Sequence, residues 1–208
     1  MSETIPPKSL FNAARFALSV PTLTALPADE GREIAFAGRS NVGKSSTINA
    51  LCNQRGLART SATPGRTQHF VVFDVAPERR LIDLPGFGYA RVAKSVREHW
   101  NAEIPRYLER RRSLAGLVLI ADSRHEIKSA ESELLRWCRD AELPVLLVLN
   151  KADKLSRNEG AKALHAARRL VNGLLAGGLV TVQLFSATAK VGIPEALSVL
   201  DTWLEGED

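Results

Sequence analysis

From Glu33 onward, short apolar runs alternate with amphipathic stretches. Glu33–Ala37, Leu114–Asp122 and Leu143–Asn150 are nearly continuous in aliphatic residues, the pattern of parallel strands buried on both faces. Gln68–Val75 and Arg80–Asp83 are also β-like, and the Pro77 region between them suits a hairpin turn. Val180–Phe185 completes the strand set. Helices are expected over Lys44–Cys52, Ser95–Arg112 with a kink at Pro105, Ser129–Ala141, Asn158–Leu175 and Ile193–Glu205. Asn53–Arg66 and Pro85–Arg91 are polar, contain Gly and Pro, and read as loops. The alternation predicts an α/β fold in one domain, a mostly parallel six-stranded sheet with helices on both faces. In such sheets ligands bind outside the carboxyl ends of the strands. Residues 1–30 carry four of the ten prolines and no clear period. They read as a lead-in with one short helix around Asn12–Leu18, ahead of a domain over 31–205 and an acidic tail over 206–208.

Composition adds limits rather than chemistry. The 208 residues suffice for one domain to bury a full core. Cys52 and Cys138 lie in predicted helices, without a CxxC partner or a His at metal spacing, and read as reduced thiols of a cytoplasmic protein. The mildly apolar stretch Leu10–Leu26 is broken by Arg15 and Pro21, so no signal or membrane span is expected. The net charge of +5 gathers at Arg79–Arg80, at Arg106 with Arg110, Arg111 and Arg112, and at Lys162 with Arg168 and Arg169. Such clusters suit either a nucleic-acid partner or solvated faces.

The chemistry begins at Gly38-Arg39-Ser40-Asn41-Val42-Gly43-Lys44-Ser45. This is G-x4-G-K-[ST] between a strand and a helix, the context a phosphate-binding loop requires. Glycines let main-chain N–H groups curl round phosphate oxygens, and the helix N-terminus adds partial positive charge. Lys44 would meet the β- and γ-phosphates, and Ser45 would offer a hydroxyl to Mg2+. The loop alone does not choose the base. Asn150-Lys151-Ala152-Asp153 does, at the carboxyl end of a predicted strand. Guanine presents two donors on one edge, and the Asp153 carboxylate can accept both. Adenine offers no such pair. Each lost bond to a charged group costs about 1.5–3 kcal/mol, so discrimination in the hundreds is expected. The Lys151 stem can lie along the base, and Asn150 can tie this loop to the phosphate loop.

Three more segments follow in order. Asp83-Leu84-Pro85-Gly86 fits D-x-x-G, with Asp83 holding Mg2+ through water and the Gly86 N–H meeting the γ-phosphate. Phe185-Ser186-Ala187 ends a later strand, where the Ala187 N–H can donate to guanine O6. Between the phosphate loop and D-x-x-G lies Thr63–Gln68, with Gly65, Arg66, Thr67 and Gln68 followed by His69. Thr67 is the threonine expected to close over Mg2+ and the γ-phosphate, with Thr60 and Thr63 as rivals.

Together GRSNVGKSS (Gly38–Ser46), TPGRTQ (Thr63–Gln68), DLPGFGYA (Asp83–Ala90), NKAD (Asn150–Asp153) and FSAT (Phe185–Thr188) resemble the translation-factor-related P-loop GTPases. Within them the match is to the EngB family of bacterial ribosome-assembly GTPases. The resemblance runs from about Leu10 to Leu204. It implies a GTPase that binds GTP and GDP with Mg2+, assists assembly of the large ribosomal subunit and is needed for cell division and septation. It implies a monomer without membrane contact. Many GTPases follow D-x-x-G with a water-orienting Gln; here Phe87 stands there, and a phenyl ring cannot do this. Slow intrinsic hydrolysis is therefore expected. Asn41, which in related GTPases helps hold K+, is the first candidate to complete the site, so Lys44, Thr67 and Asn41 form the expected catalytic set. Arg66 or Arg39 in cis, or a group from a partner, are the others. Trp100 and Tyr107 could stack on RNA bases beside the Arg106–Arg112 cluster, but their helical spacing favours core packing. A protein effector without RNA contact, and an ATP-using P-loop kinase, are the rival functions; NKAD argues against the kinase.

Overall fold

The computed structural model describes residues 9–59, 69–87, 103–174 and 179–206. Among these, seven strands form one sheet in the order β1-β3-β4-β2-β5-β6-β7. They are β1 (Arg15–Val20), β2 (Arg32–Gly38), β3 (Phe70–Ala76), β4 (Arg79–Asp83), β5 (Leu114–Asp122), β6 (Val145–Asn150) and β7 (Val180–Leu184). The last four positions of the order run parallel, with β4 parallel to β2 as well. β3 pairs antiparallel with both β1 and β4, and β3 and β4 form the expected hairpin. Its turn places Glu78 at φ 57°. The helices are α1 (Lys44–Leu51), α2 (103–110), α3 (Ser129–Asp140), α4 (Arg157–Leu174) and α5 (Ile193–Glu205).

Alternation along the central strands divides the core between the two faces of the sheet. Ala35, Leu117, Leu119, Leu147 and Leu149 point to one face and pack with Tyr107 and Leu108 of α2, Leu135 of α3 and Val171 of α4. Ile34, Phe36, Val118, Ile120 and Val148 point to the other and meet Ile48 of α1 with Leu200 and Leu204 of α5. Cys52 and Cys138 are buried and free, and burial pushes both thiols up to about 12. Among the described residues no helix is long and apolar enough to cross a membrane.

Two expectations need correction. The sheet has seven strands rather than six because residues 15–20 form an antiparallel edge strand where a short helix around Asn12–Leu18 is expected. A 3-10 turn over Leu10–Ala13 precedes it, and Phe11 is fully buried. The strand escapes a hydrophobicity reading because its outer edge is solvated: Phe16 is 59% exposed, resting edge-on against Phe73. The second correction concerns the arginines. Arg111 does not join a phosphate-facing patch; it donates from Nε and Nη2 to the fully buried Glu33, at 3.0 and 2.6 Å. Arg80 and the Tyr107 hydroxyl donate to the same carboxylate. Arg79 is likewise spent on the Leu204 carbonyl. Asp29 caps this cluster, accepting from the Ser113 N–H and hydroxyl and the Arg112 N–H. Burial would raise the Asp29 carboxyl, but these donors and Arg111 hold it down at about 2. Tyr107 is completely buried, as its spacing predicts.

Candidate functional site

The ends of β2, β4, β5 and β6 open on one rim of the sheet, and the motif-bearing loops sit there. β2 runs into the loop Arg39–Gly43, which turns directly into α1. The turn uses left-handed backbone at Asn41 (φ 63°) and Gly43 (φ 96°). A Cβ on Gly43 would strike the Asn150 side chain, and one on Gly38 would sit 2.8 Å from the Ile120 carbonyl. Glycine is therefore required by packing at both positions, and at Gly43 by backbone angle as well.

Lys44 begins α1 and is only 8% exposed. Its ammonium pairs with the Asp83 carboxylate, which ends β4 and is 3% exposed. Burial pushes the Asp83 carboxyl upward and the Lys44 charge opposes it. The D-x-x-G segment is held against the phosphate loop by a bridge between Arg39 and Phe87 and by the Leu84 N–H donating to the Phe36 carbonyl. Phe87 is half-buried against the sheet core.

The Asn150–Asp153 segment leaves β6 in a left-handed turn at Lys151 (φ 65°) and continues as a single 3-10 turn, Ala152–Lys154. Asn150 donates from Nδ2 to the Val42 carbonyl at 2.8 Å, joining the two loops. Lys151 Nζ donates to the Asn41 carbonyl at 2.6 Å and to Asp122 at 2.9 Å. Asp153 is exposed; the Ser186 hydroxyl donates to it at 2.6 Å, and Ser186 with Lys154 keeps its carboxyl lowered. The Ala152 N–H donates to the Phe185 carbonyl, and the Ala187 N–H reaches Asn150 Oδ1 at 3.4 Å. So Gly38–Ser45, Asp83–Gly86, Asn150–Asp153 and Phe185–Ala187 converge on one rim.

Gly65, Arg66, Thr67 and Gln68, with the rivals Thr60 and Thr63, lie outside the described residues, as does Trp100. His69 is described, exposed, with Nδ1 3.3 Å from the Ser19 hydroxyl. One participant carries no motif. Asp122, ending β5, bridges Lys151 and Arg124; burial raises its carboxyl, but their hydrogen bonds bring it well below the usual range. Val42, inside the phosphate-loop motif, takes part through its main-chain carbonyl.

A family model described as "50S ribosome-binding GTPase" matches residues 33–151, and one described as the elongation factor Tu GTP-binding domain matches 107–206. The "probable GTP-binding protein EngB" of Colwellia psychrerythraea is 47% identical over 93% of this chain and 86% of its own length. Its namesake from Pasteurella multocida is 47% identical over 93% of each chain. The chain belongs to the EngB family of GTP-binding proteins. It binds guanine nucleotide and is a GTP-hydrolysing enzyme. A crystal structure of a probable EngB protein aligns over 83% of this chain and 98% of its own, at a TM-score of 0.66 and 24% identity. Era in complex with MgGDPNP and a segment of 16S ribosomal RNA aligns over 86% of this chain and 59% of its own, at 0.65 and 20%. At those identities the two structures speak for the fold that this EngB-family chain shares.

Proposed function

We propose that this GTPase is a nucleotide-dependent switch that docks on an RNA-rich assembly intermediate of the large ribosomal subunit, with Mg2+ at its phosphate site. The Asn150–Val42 bond is the observation that carries the nucleotide reading, since it joins the base-selecting loop to the phosphate loop. The ribosomal part is supported by the matching family model's description and by the net charge of +5. A part in cell division and septation belongs to the same reading.

The residues present fit Mg2+. Ser45 offers a hydroxyl and Asp83 a carboxylate, hard oxygen donors, and the described residues contain no cluster of three His, Cys, Asp or Glu that would compete. Such a donor set suits a cation that keeps waters and phosphate oxygens. Held by Ser45 and Asp83, Mg2+ would supply positive charge against the β- and γ-phosphates. Lys44 then exchanges Asp83 for phosphate oxygens, the N–H groups of Asn41–Ser45 cradle the phosphates, and Asp153 accepts from the guanine edge. Thr67 is the threonine that would meet the γ-phosphate. Phe87, packed inward, leaves water orientation to other groups, so hydrolysis by the isolated chain is slow. Asn41 is the residue assigned to hold K+ beside the phosphates.

Co-sedimentation with purified 50S particles tests the docking. Retention with a non-hydrolysable GTP analogue and release with GDP is expected. Equal or no retention in both states contradicts it and favours a protein effector.

A further inference from the structure

Asp122 ends β5, and two cations meet on it beside the base-selecting loop. Arg124 donates to it three times, from the main-chain N–H and Nε to Oδ1 at 3.1 and 2.9 Å, and from Nη2 to Oδ2 at 2.7 Å. The planar guanidinium is thereby held in the fork geometry that suits a carboxylate. Lys151 Nζ donates to the same Oδ2 at 2.9 Å, its other bond being the one to the Asn41 carbonyl. The Ser123 N–H donates to the Asn150 carbonyl at 2.8 Å, so the turn that carries Arg124 is fixed to the end of the strand leading into Asp153. Asp153 lies near enough for its charge to act on the Arg124 guanidinium. It is exposed, with Lys154 Nζ 3.1 Å from Oδ2, a single contact of an exposed ammonium. Such a contact costs little to displace. A bidentate arginine would be harder to displace, because it covers both carboxylate oxygens.

We propose that Asp122 is a positioning residue for guanine recognition: it occupies Arg124 and anchors Lys151, so that the Asp153 carboxylate stays available to the base. Without Asp122, Arg124 and Lys151 are neighbouring cations that have lost their shared counter-ion, and Asp153 is the nearby carboxylate that attracts the arginine. An Arg124–Asp153 fork would fill the acceptors that the guanine ring N–H and 2-amino group need. The expected effects oppose simple electrostatics. GDP is an anion, so removing a carboxylate near it should by charge alone favour binding, and removing an arginine should weaken it. Here loss of Asp122 weakens binding, and further loss of Arg124 repairs selection. The inference rests on the reading of Asp153 as the guanine acceptor and adds what keeps that acceptor free.

Calorimetry of the full chain with GDP and IDP tests it. Hypoxanthine keeps the ring N–H and lacks the 2-amino group, so the ratio of GDP to IDP affinity reports on Asp153. The wild type is expected to prefer GDP by about tenfold or more, the loss of one hydrogen bond to a charged group. Asp122→Ala should weaken GDP by about tenfold or more and bring the ratio towards unity. Adding Arg124→Ala to Asp122→Ala should restore the ratio, a recovery that a merely loosened site would not show. Asp122→Asn keeps the shape but turns an amide donor towards Lys151 and Arg124, and it should shift the ratio in the same direction should the alanine variant not fold. A ratio unchanged in the Asp122 variants, or one that Arg124→Ala does not recover, overturns the inference alone. A wild type that binds GDP and IDP alike overturns the reading of Asp153 and this inference with it, so the two failures are distinguishable.

Discussion

The Asn150 side-chain amide donates to the Val42 main-chain carbonyl over 2.8 Å, although 108 residues separate them. Both residues are buried, at 3% and 6% exposure, so the bond is made away from competing water. Asn150→Ala leaves the Val42 carbonyl without its partner, at a cost of about 1–3 kcal/mol. GDP affinity should fall about 5- to 150-fold, measured by calorimetry. An unchanged affinity would show that the two loops are held by something else.

Gly43 faces the same asparagine. Its φ of 96° is left-handed, and an added Cβ would collide with the Asn150 amide. Gly43→Ala should therefore abolish tight GDP binding. Gly56, with φ 80° but open space around its Cβ position, provides the contrast: Gly56→Ala should cost only about 1 kcal/mol of stability and leave binding intact.

The Glu33 cluster separates structural from surface arginines. Removing Arg111 takes the two shortest charged hydrogen bonds from the fully buried Glu33 carboxylate and leaves it to Arg80 and Tyr107, and breaking a buried pair costs about 3–5 kcal/mol. Arg111→Ala should lower the urea midpoint accordingly. Arg106 and Arg110 are exposed, and alanine there should change stability by no more than about 0.5 kcal/mol. Equal effects at all three positions would refute the division.

Asp29 gives a pH signature. Its carboxyl is held at about 2 in the folded chain against 3.8 ordinarily. A depressed folded value stabilises above the unfolded value and stops doing so as pH falls through the folded one. Urea midpoints of wild type and Asp29→Asn should differ most above pH 4 and converge towards pH 2. A gap that stays constant across that window would assign the effect to packing.

Potassium addresses the missing glutamine. If Asn41 holds K+, hydrolysis should run faster in KCl than in NaCl, and Asn41→Ala should remove the difference. Equal rates in both salts would leave Asn41 as a brace for its left-handed turn and point to a partner-supplied group.

The motif-bearing parts of the site were legible because each rests on residue types with few alternatives: glycines where the backbone must turn, a carboxylate where two donors must be met. The central strands were legible because burial on both faces leaves only aliphatic residues. The edge strand β1 was not, since Arg15, Phe16 and Ala17 are all exposed and its pairing depends on β3, some fifty residues away. Arg111 looked like a member of a basic run because nothing local reveals Glu33 beneath it. Asp122 lies at a strand end without a motif, and its role follows only from Lys151 and Arg124 meeting there.

Guanine selection by Asp153 is the claim on which the rest depends. Calorimetry of GDP, ADP and XDP against the wild type and Asp153→Asn tests it. Asparagine offers one donor and one acceptor, which suits the xanthine edge and sets a donor against a donor on guanine. The wild type should bind GDP and not ADP, and the variant should lose GDP affinity by a hundredfold or more, about 3 kcal/mol, while gaining XDP. Wild-type affinity for ADP equal to that for GDP, or a variant that still prefers GDP, would contradict it.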